Sequence, residues 1–277
     1  RRGLTPRVQG RHCCARGRDV TYQTIQYDKR DGIAVVTLNR PDRHNAIDSV
    51  MARELPRVWH DIIADRSVAV AVVTGAGRRA FCTGFDMGDL ASGVADVGDA
   101  LRFTSLQNRC CKPVVTAING MVCGGGLHFV ADTDLLVCSE TATFFDTHVN
   151  VGLVAGLEPI GLARRIALDP VLRLSLLGRA DRMSAARAYE IGLAGEVVAP
   201  DALLPRALEL AAQIAQSSPS AVARTKRAIW ESLDVGLAEA LELGWRTIEE
   251  HKGDPDVVEG AAAFRERRAP RWSRDHV

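Results

Sequence analysis

The sequence predicts an α/β protein: a layered core of strands and helices followed by a helical C-terminal portion. Two observations predict it. Apolar, β-branched runs at Ile33–Leu38, 68–73, Val114–Ile118 and 134–138 each stop at a polar or glycine-containing turn, and stretches with helical spacing lie between them. After about Pro159 the β signal nearly vanishes and the chain reads as one helix after another. The 277 residues, 47% of them hydrophobic and 25% charged, supply ample material for a core in one or two domains. Aromatics are only 5%, so small aliphatic side chains must fill most of it.

Residues 1–18 carry six arginines and no acidic residue or serine. They lack the apolar stretch of a secretory leader and the serines of a transit peptide, so residues 1–20 are read as a disordered or artefactual basic extension. From Tyr22 the chain becomes periodic. Ile33–Leu38 is a strand closed by the turn Asn39-Arg40-Pro41-Asp42. From 46 to about 64, Ile47, Val50, Leu55, Val58, Ile62 and Ile63 recur at helical spacing, with a kink expected at Pro56. The strand at 68–73 ends in Thr74-Gly75-Ala76-Gly77, and the one at Val114–Ile118 ends in Asn119-Gly120. Helices are predicted at 184–191, 201–216, 221–233, 236–251 and 255–268. Ser217-Ser218-Pro219-Ser220 and Lys252-Gly253-Asp254-Pro255 end one helix and cap the next. The expected layout is a core over 21–216 and a helical region over 217–277 that packs on the core or on a neighbouring subunit.

Charge and cysteine usage exclude several classes. The net charge of +1 balances 35 basic against 34 acidic residues, which argues against nucleic acid or an anionic membrane as partner. No apolar run approaches the roughly 18 residues of a transmembrane helix. Seven cysteines without a C-x-x-C pair suit neither a disulfide framework nor a zinc site, so a reducing cytoplasm is the expected location and no metal is expected. Gly75-Ala76-Gly77-Arg78-Arg79-Ala80 fits a dinucleotide fingerprint, but Gly84 opposes the helix that should follow. Neither a Gly-Lys-Ser/Thr phosphate loop nor G-x-S-x-G is present.

Two segments are more informative. In Phe81-Cys82-Thr83-Gly84-Phe85-Asp86-Met87 the glycine allows a tight turn whose following amide can point into a cavity. In Asn119-Gly120-Met121-Val122-Cys123-Gly124-Gly125-Gly126-Leu127-His128 three glycines between a strand and an apolar helix leave free N–H groups at the helix's positive end. One amide from each segment would make an oxyanion hole.

These segments, with T-L-N-R-P-D-R-H-N-A-I over 37–47, S-A-A-R-A-Y-E-I-G-L-A-G-E-V-V over 184–198 and E-G-A-A-A-F-R-E-R-R over 259–268, resemble the crotonase, or enoyl-CoA hydratase/isomerase, superfamily. The resemblance spans nearly all of 22–270. It implies a crotonase-like spiral of ββα units with a helical C-terminal trimerisation region, a homotrimer or a hexamer built as a dimer of trimers, and acyl-CoA thioester substrates. Coenzyme A would arrive as part of the substrate, with no separate cofactor. The thioester oxygen would be held by the backbone N–H groups of Phe85 and Gly125. The CoA adenine and phosphates would lie near Arg43, Ala46, Phe81, Thr83, Asp86 and Met87, with Phe264 and Arg267 of a neighbour closing over them.

The chain departs from the family where protons move. A typical hydratase has one Glu two residues past the glycine triplet and another about 20 residues later; here those positions are His128 and His148. Imidazole, with an ordinary pKa of about 6.5, can still give or take a proton near neutrality. A cationic His128 would stabilise an enolate, and a neutral His148, oriented by Asp146 or Glu158, would activate water. Some diketone-cleaving members of the superfamily resemble this, with His at the second position. A His between Leu127 and Phe129 is, on the other hand, the usual setting of a packed core residue. The leading expectation is an enoyl-CoA hydratase-type lyase using Phe85, Gly125, His128 and His148. Its rivals are a C–C (β-diketone) hydrolase or isomerase on the same fold, and a catalytically silent CoA-binding subunit.

Overall fold

The computed structural model describes residues 21–93 and 102–274; the predicted extension at 1–20 lies outside the described residues. In chain order its strands are β1 (Ile25–Arg30), β2 (Ile33–Leu38), β3 (Val70–Gly75), β4 (Ala80–Cys82), β5 (Val114–Ile118), β6 (Met121–Cys123), β7 (Leu135–Ser139), β8 (Thr143–Phe145), β9 (Met183–Ser184) and β10 (Glu196–Val198). The helices are α1 (Ser49–Ala64), α2 (Met87–Ala91), α3 (His128–Ala131), α4 (Glu158–Leu162), α5 (Leu168–Leu177), α6 (Ala185–Glu190), α7 (Leu203–Ala215), α8 (Pro219–Ser232), α9 (Leu237–His251) and α10 (Pro255–Glu266).

Two sheets result. The larger has the order β1-β2-β3-β5-β7-β10, antiparallel only in the β1–β2 hairpin, and the smaller has the order β4-β6-β8-β9. Each passage of the chain lays one strand in each sheet, β3 then β4, β5 then β6, β7 then β8. β4 and β6 are parallel neighbours, with Ala80 opposite Met121 and Cys82 opposite Val122. The residues just past each strand, 83–85 and 124–125, are therefore brought side by side.

The β3 side chains alternate between two apolar clusters, as the period of two requires. Ala71 and Val73 join α1 and the inner faces of both sheets, while Val70 and Val72 face Leu203, Ala207 and Ala211 of α7. Burial on both faces explains why the parallel strands read as continuous apolar runs rather than alternating ones.

One expectation needs correction. The helix predicted from 46 begins at Ser49, because the Asp48 carboxylate accepts the N–H groups of Val50 and Met51 at 3.1 and 2.8 Å. Ile47, just before it, instead bridges Phe85 in extended conformation. α1 runs unbroken over Ser49–Ala64 with Pro56 inside it. The fixed φ of proline suits a helix, and seven residues of α1, from Met51 to Ile62, are buried and hold it. Past Pro159 little strand remains, as expected: β9 and β10 are edge strands of two and three residues, too short to show a period. The helices α4 and α5 correspond to no separately predicted segment.

α8 is tied to the core through Lys226 Nζ, 2.8 Å from Asp134 Oδ2, and Trp230 Nε1, which donates to Asp134 Oδ1 at 2.7 Å. α9 buries no residue. Leu237, Leu241, Trp245 and Ile248 form an apolar stripe along it, with Leu237 76% exposed.

Candidate active site

The two glycine segments meet. Gly84 has φ +82°, and a Cβ placed on it would lie 2.8 Å from Gly125 N and 3.2 Å from Cys123 O, so only glycine lets the chains approach this closely. Ile47 N donates to Gly84 O at 2.8 Å and Asp86 N donates to Ile47 O at 2.9 Å. That parallel bridge turns the N–H of the intervening Phe85 to the opposite side. Gly125 lies in the first turn of the short 3₁₀ helix Gly124–Leu127, where an N–H has no intrahelical acceptor. A methyl built on Gly125 would lie 3.8 Å from Phe85 N. Two untied backbone donors on separate segments thus stand together, an arrangement able to stabilise an oxygen that gains negative charge.

Ion pairs fix the Phe85 segment. Arg40 Nε lies 3.1 Å from Asp48 Oδ2, and its Nη2 lies 3.0 Å from Asp86 Oδ2. Asp86 also caps α2 by accepting the Gly88 N–H at 3.0 Å. Burial acts to raise the Asp86 pKa, but the Arg40 and Gly88 hydrogen bonds outweigh it and hold the carboxyl below the ordinary range. The Asn45 side chain donates to Ala76 O and Ala80 O, both at 2.9 Å, which pins the preceding turn. Arg40 and Asn45 both lie in the 37–47 motif, but no spacing argument assigned them this role.

His148 begins the 3₁₀ turn that follows β8. Asp146 Oδ1 accepts both its backbone N–H, at 2.8 Å, and its ring Nδ1–H, at 2.7 Å. With the proton on Nδ1, Nε2 is the basic atom of the neutral ring. The ring abuts the glycine loop: a Cβ on Gly124 would lie 3.6 Å from His148 Cε1. The Asp146 hydrogen bond raises the His148 pKa above 6.5 against the opposing effect of burial, and the Asp146 and Glu158 charges add to it. For Asp146 burial pushes upward, but the hydrogen bonds from His148 leave it below the ordinary carboxylate value. Of the two orienting partners considered for His148, Asp146 makes the contact and Glu158 acts through its charge.

His128 opens α3 and is 3% exposed. Gln107 Oε1 accepts the backbone N–H groups of Phe103 and Thr104 at 2.7 and 3.1 Å, which orients the amide. Its NH₂ therefore faces His128 Nδ1 at 3.2 Å, so Nδ1 is the acceptor and the ring proton sits on Nε2. Nε2 lies 3.2 Å from Glu158 Oε1, within ion-pair distance, but it is sealed from solvent and off the line of a good hydrogen bond. Gln107 sits in no motif and was not anticipated.

The predicted CoA residues fall into two groups. Arg43 and Met87 are exposed, Ala46 is buried, and Thr83 Oγ1 donates to His44 O at 3.4 Å. The Phe81 side chain is fully buried against Phe129, with ring centroids 5.6 Å apart, so only its backbone could face a ligand. Phe264 and Arg267 stand exposed at the end of α10, with Phe264 86% exposed. Among the described residues no group of three or more His, Cys, Asp or Glu side chains could hold a metal ion. No described helix is long and apolar enough to cross a membrane.

The enoyl-CoA hydratase/isomerase family model matches residues 28–275. Carnitinyl-CoA dehydratase of Proteus mirabilis (strain HI4320) is 33% identical over 259 residues, covering 90% of this chain and 98% of the relative. (E)-Benzylidenesuccinyl-CoA hydratase of Thauera aromatica is 34% identical over 249 residues, covering 86% and 94%. The crystal structure of an enoyl-CoA hydratase/isomerase from Mycobacterium paratuberculosis aligns with a TM-score of 0.84 at 41% identity, covering 91% of this chain and 99% of that one. Sheet order, paired glycine segments and these matches agree: the chain belongs to the enoyl-CoA hydratase/isomerase family, with the crotonase fold.

Proposed function

We propose that this protein is an enoyl-CoA hydratase-type lyase that stabilises a thioester enolate with the Phe85 and Gly125 amides and uses the Asp146–His148 pair as its base. The single observation that carries the reading is the juxtaposition of two untied amides with an imidazole whose Nε2 is left basic. The thioester carbonyl oxygen sits between the amides. His148 Nε2 takes a proton from water as its oxygen bonds to Cβ, the double-bond electrons move onto the carbonyl oxygen, and Cα is protonated as the enolate collapses. The relatives named for carnitinyl-CoA dehydration and benzylidenesuccinyl-CoA hydration support water chemistry on a CoA thioester.

CoA is placed along Arg43, Ala46, Phe81, Thr83, Asp86 and Met87, with a neighbouring subunit's Phe264 and Arg267 over it. The exposed α9 stripe supports assembly as a homotrimer or a hexamer, and the expected location is cytoplasmic. The test is turnover of crotonyl-CoA by the purified protein and by His148→Ala. Hydration that falls by about 10²–10⁴-fold in the variant supports the reading.

The Asp146–His148 pair itself favours one alternative, hydrolysis of a C–C bond in a β-diketone thioester, because a carboxylate-oriented imidazole suits water attack on a ketone. That enzyme binds crotonyl-CoA, leaves it unchanged and cleaves the diketone. A silent CoA-binding subunit turns over neither.

A further inference from the structure

Position 128 is where a hydratase of this family carries a reacting carboxylate, yet its ring here has nothing free to offer a substrate. Nδ1 faces the Gln107 amide at 3.2 Å and Nε2 is sealed within the protein, 3.2 Å from Glu158 Oε1. The carboxylate that position 128 lacks is thus present beside it, delivered from the first residue of α4. Glu158 is 5% exposed, and its charge is felt at His148. It cannot be a surface charge that merely happens to be near, since a buried carboxyl without a partner is costly.

We propose that Glu158 is the second acid–base group of the site, working opposite His148, and that His128 and Gln107 are positioning residues that hold it. This rests on the acyl-CoA reading above. During hydration the water O–H bond breaks and its proton goes to His148 Nε2 while the C–O bond forms at Cβ. The Glu158 carboxylate takes that proton from His148 and gives it to Cα as the Cα–H bond forms. Both groups end as they began, so water is added with no net gain or loss of protons. The titratable and charged groups facing the pair are His148 with Asp146 on the β8 side, Asp132, whose charge interacts with Glu158, and Arg165, whose charge interacts with Asp132. Gln107 fixes the ring so that its Nε2 stands 3.2 Å from Glu158 Oε1.

The experiment compares the wild type with Glu158→Gln, His128→Gln and His128→Ala, reading kcat and KM for crotonyl-CoA and deuterium exchange at Cα of butyryl-CoA. Glu158→Gln keeps the shape but cannot carry the proton. It is expected to lose about 10²–10⁴-fold in kcat, the range of a general acid or base, with KM nearly unchanged and Cα exchange lost in step. His128→Gln keeps an N–H donor at this position and is expected to stay within about tenfold of wild type, whereas His128→Ala falls further. Thermal melts identify a variant that has failed to fold. The proposal is overturned if folded Glu158→Gln keeps kcat within about threefold, or if His128→Gln loses as much as Glu158→Gln. A wild type that leaves crotonyl-CoA unchanged refutes the hydratase reading instead, and Cα exchange then decides the role of Glu158. If the wild type exchanges nothing, both fall.

Discussion

Replacing Gly84 by alanine tests the amide pair most directly, and its effect divides into two separable parts. The backbone at 84 has φ +82°, a region that costs an L-residue about 1–2 kcal/mol. For a chain of this size that lowers the melting temperature by about 2–8 °C. The new Cβ would also lie 2.8 Å from Gly125 N, well inside ordinary contact, and neither partner is a flexible side chain. The Phe85 and Gly125 segments must then move apart by roughly the 0.5 Å that a catalytic geometry tolerates. Losing one donor of an oxyanion hole costs about 10²–10³-fold in kcat, or about 2.7–4 kcal/mol. The assay is kcat for crotonyl-CoA beside a thermal melt, with Gly192→Ala as the control. Gly192 also has positive φ, +76°, but nothing lies within 4 Å of its Cβ position, so that variant carries the strain without the contact. A folded Gly84→Ala enzyme with kcat within about threefold of wild type refutes the reasoning.

Asp146→Asn removes the charge that raises the His148 pKa but keeps an acceptor for its two N–H groups. A base works when neutral, so the acidic limb of the kcat/KM–pH profile moves to lower pH in the variant, while the rate on the plateau falls because the base is weaker. An unmoved limb means His148 is not the titrating group. The same pair links pH to folding with opposite signs. The raised His148 pKa contributes stability below its unfolded value near 6.5 that is lost as pH rises through the folded value. The depressed Asp146 pKa contributes stability above 3.8 that is lost as pH falls through its folded value. Asp48→Ala removes both cap hydrogen bonds of α1 and the Arg40 ion pair, and chemical denaturation should show a loss of about 1–2 kcal/mol. Trp245→Glu puts a charge on the exposed apolar stripe of α9, and sedimentation should show the proposed trimer or hexamer dissociating while the far-ultraviolet spectrum is kept.

Long-period features were readable in one dimension. Strands β2 and β5 were bounded correctly because both faces of a parallel sheet are apolar, which leaves an unbroken run with turn residues at its ends. Helices α7, α8 and α9 repeat every three or four residues and were placed to within a residue or two at most ends. Strands β4, β6, β8 and β9 have two or three residues each, too few to show a period, so the second sheet was legible only through the family resemblance. Yet that sheet decides the site, since the β4–β6 pairing brings the two glycine segments together.

By itself the sequence determined the α/β class, the two glycine segments and the presence of imidazoles at 128 and 148, because glycine, turn chemistry and side-chain type are local properties. Only the tertiary structure decided which partners each imidazole meets. Asp146 is two residues from His148 and was within reach of a sequence argument. Gln107 and Glu158 lie 21 and 30 positions from His128, and their meeting depends on how the chain before β5 and the helix after β8 pack against α3. Burial makes those contacts matter: in water the same groups are separately solvated, whereas inside the protein each ring nitrogen must find its partner among whatever the fold brings to it.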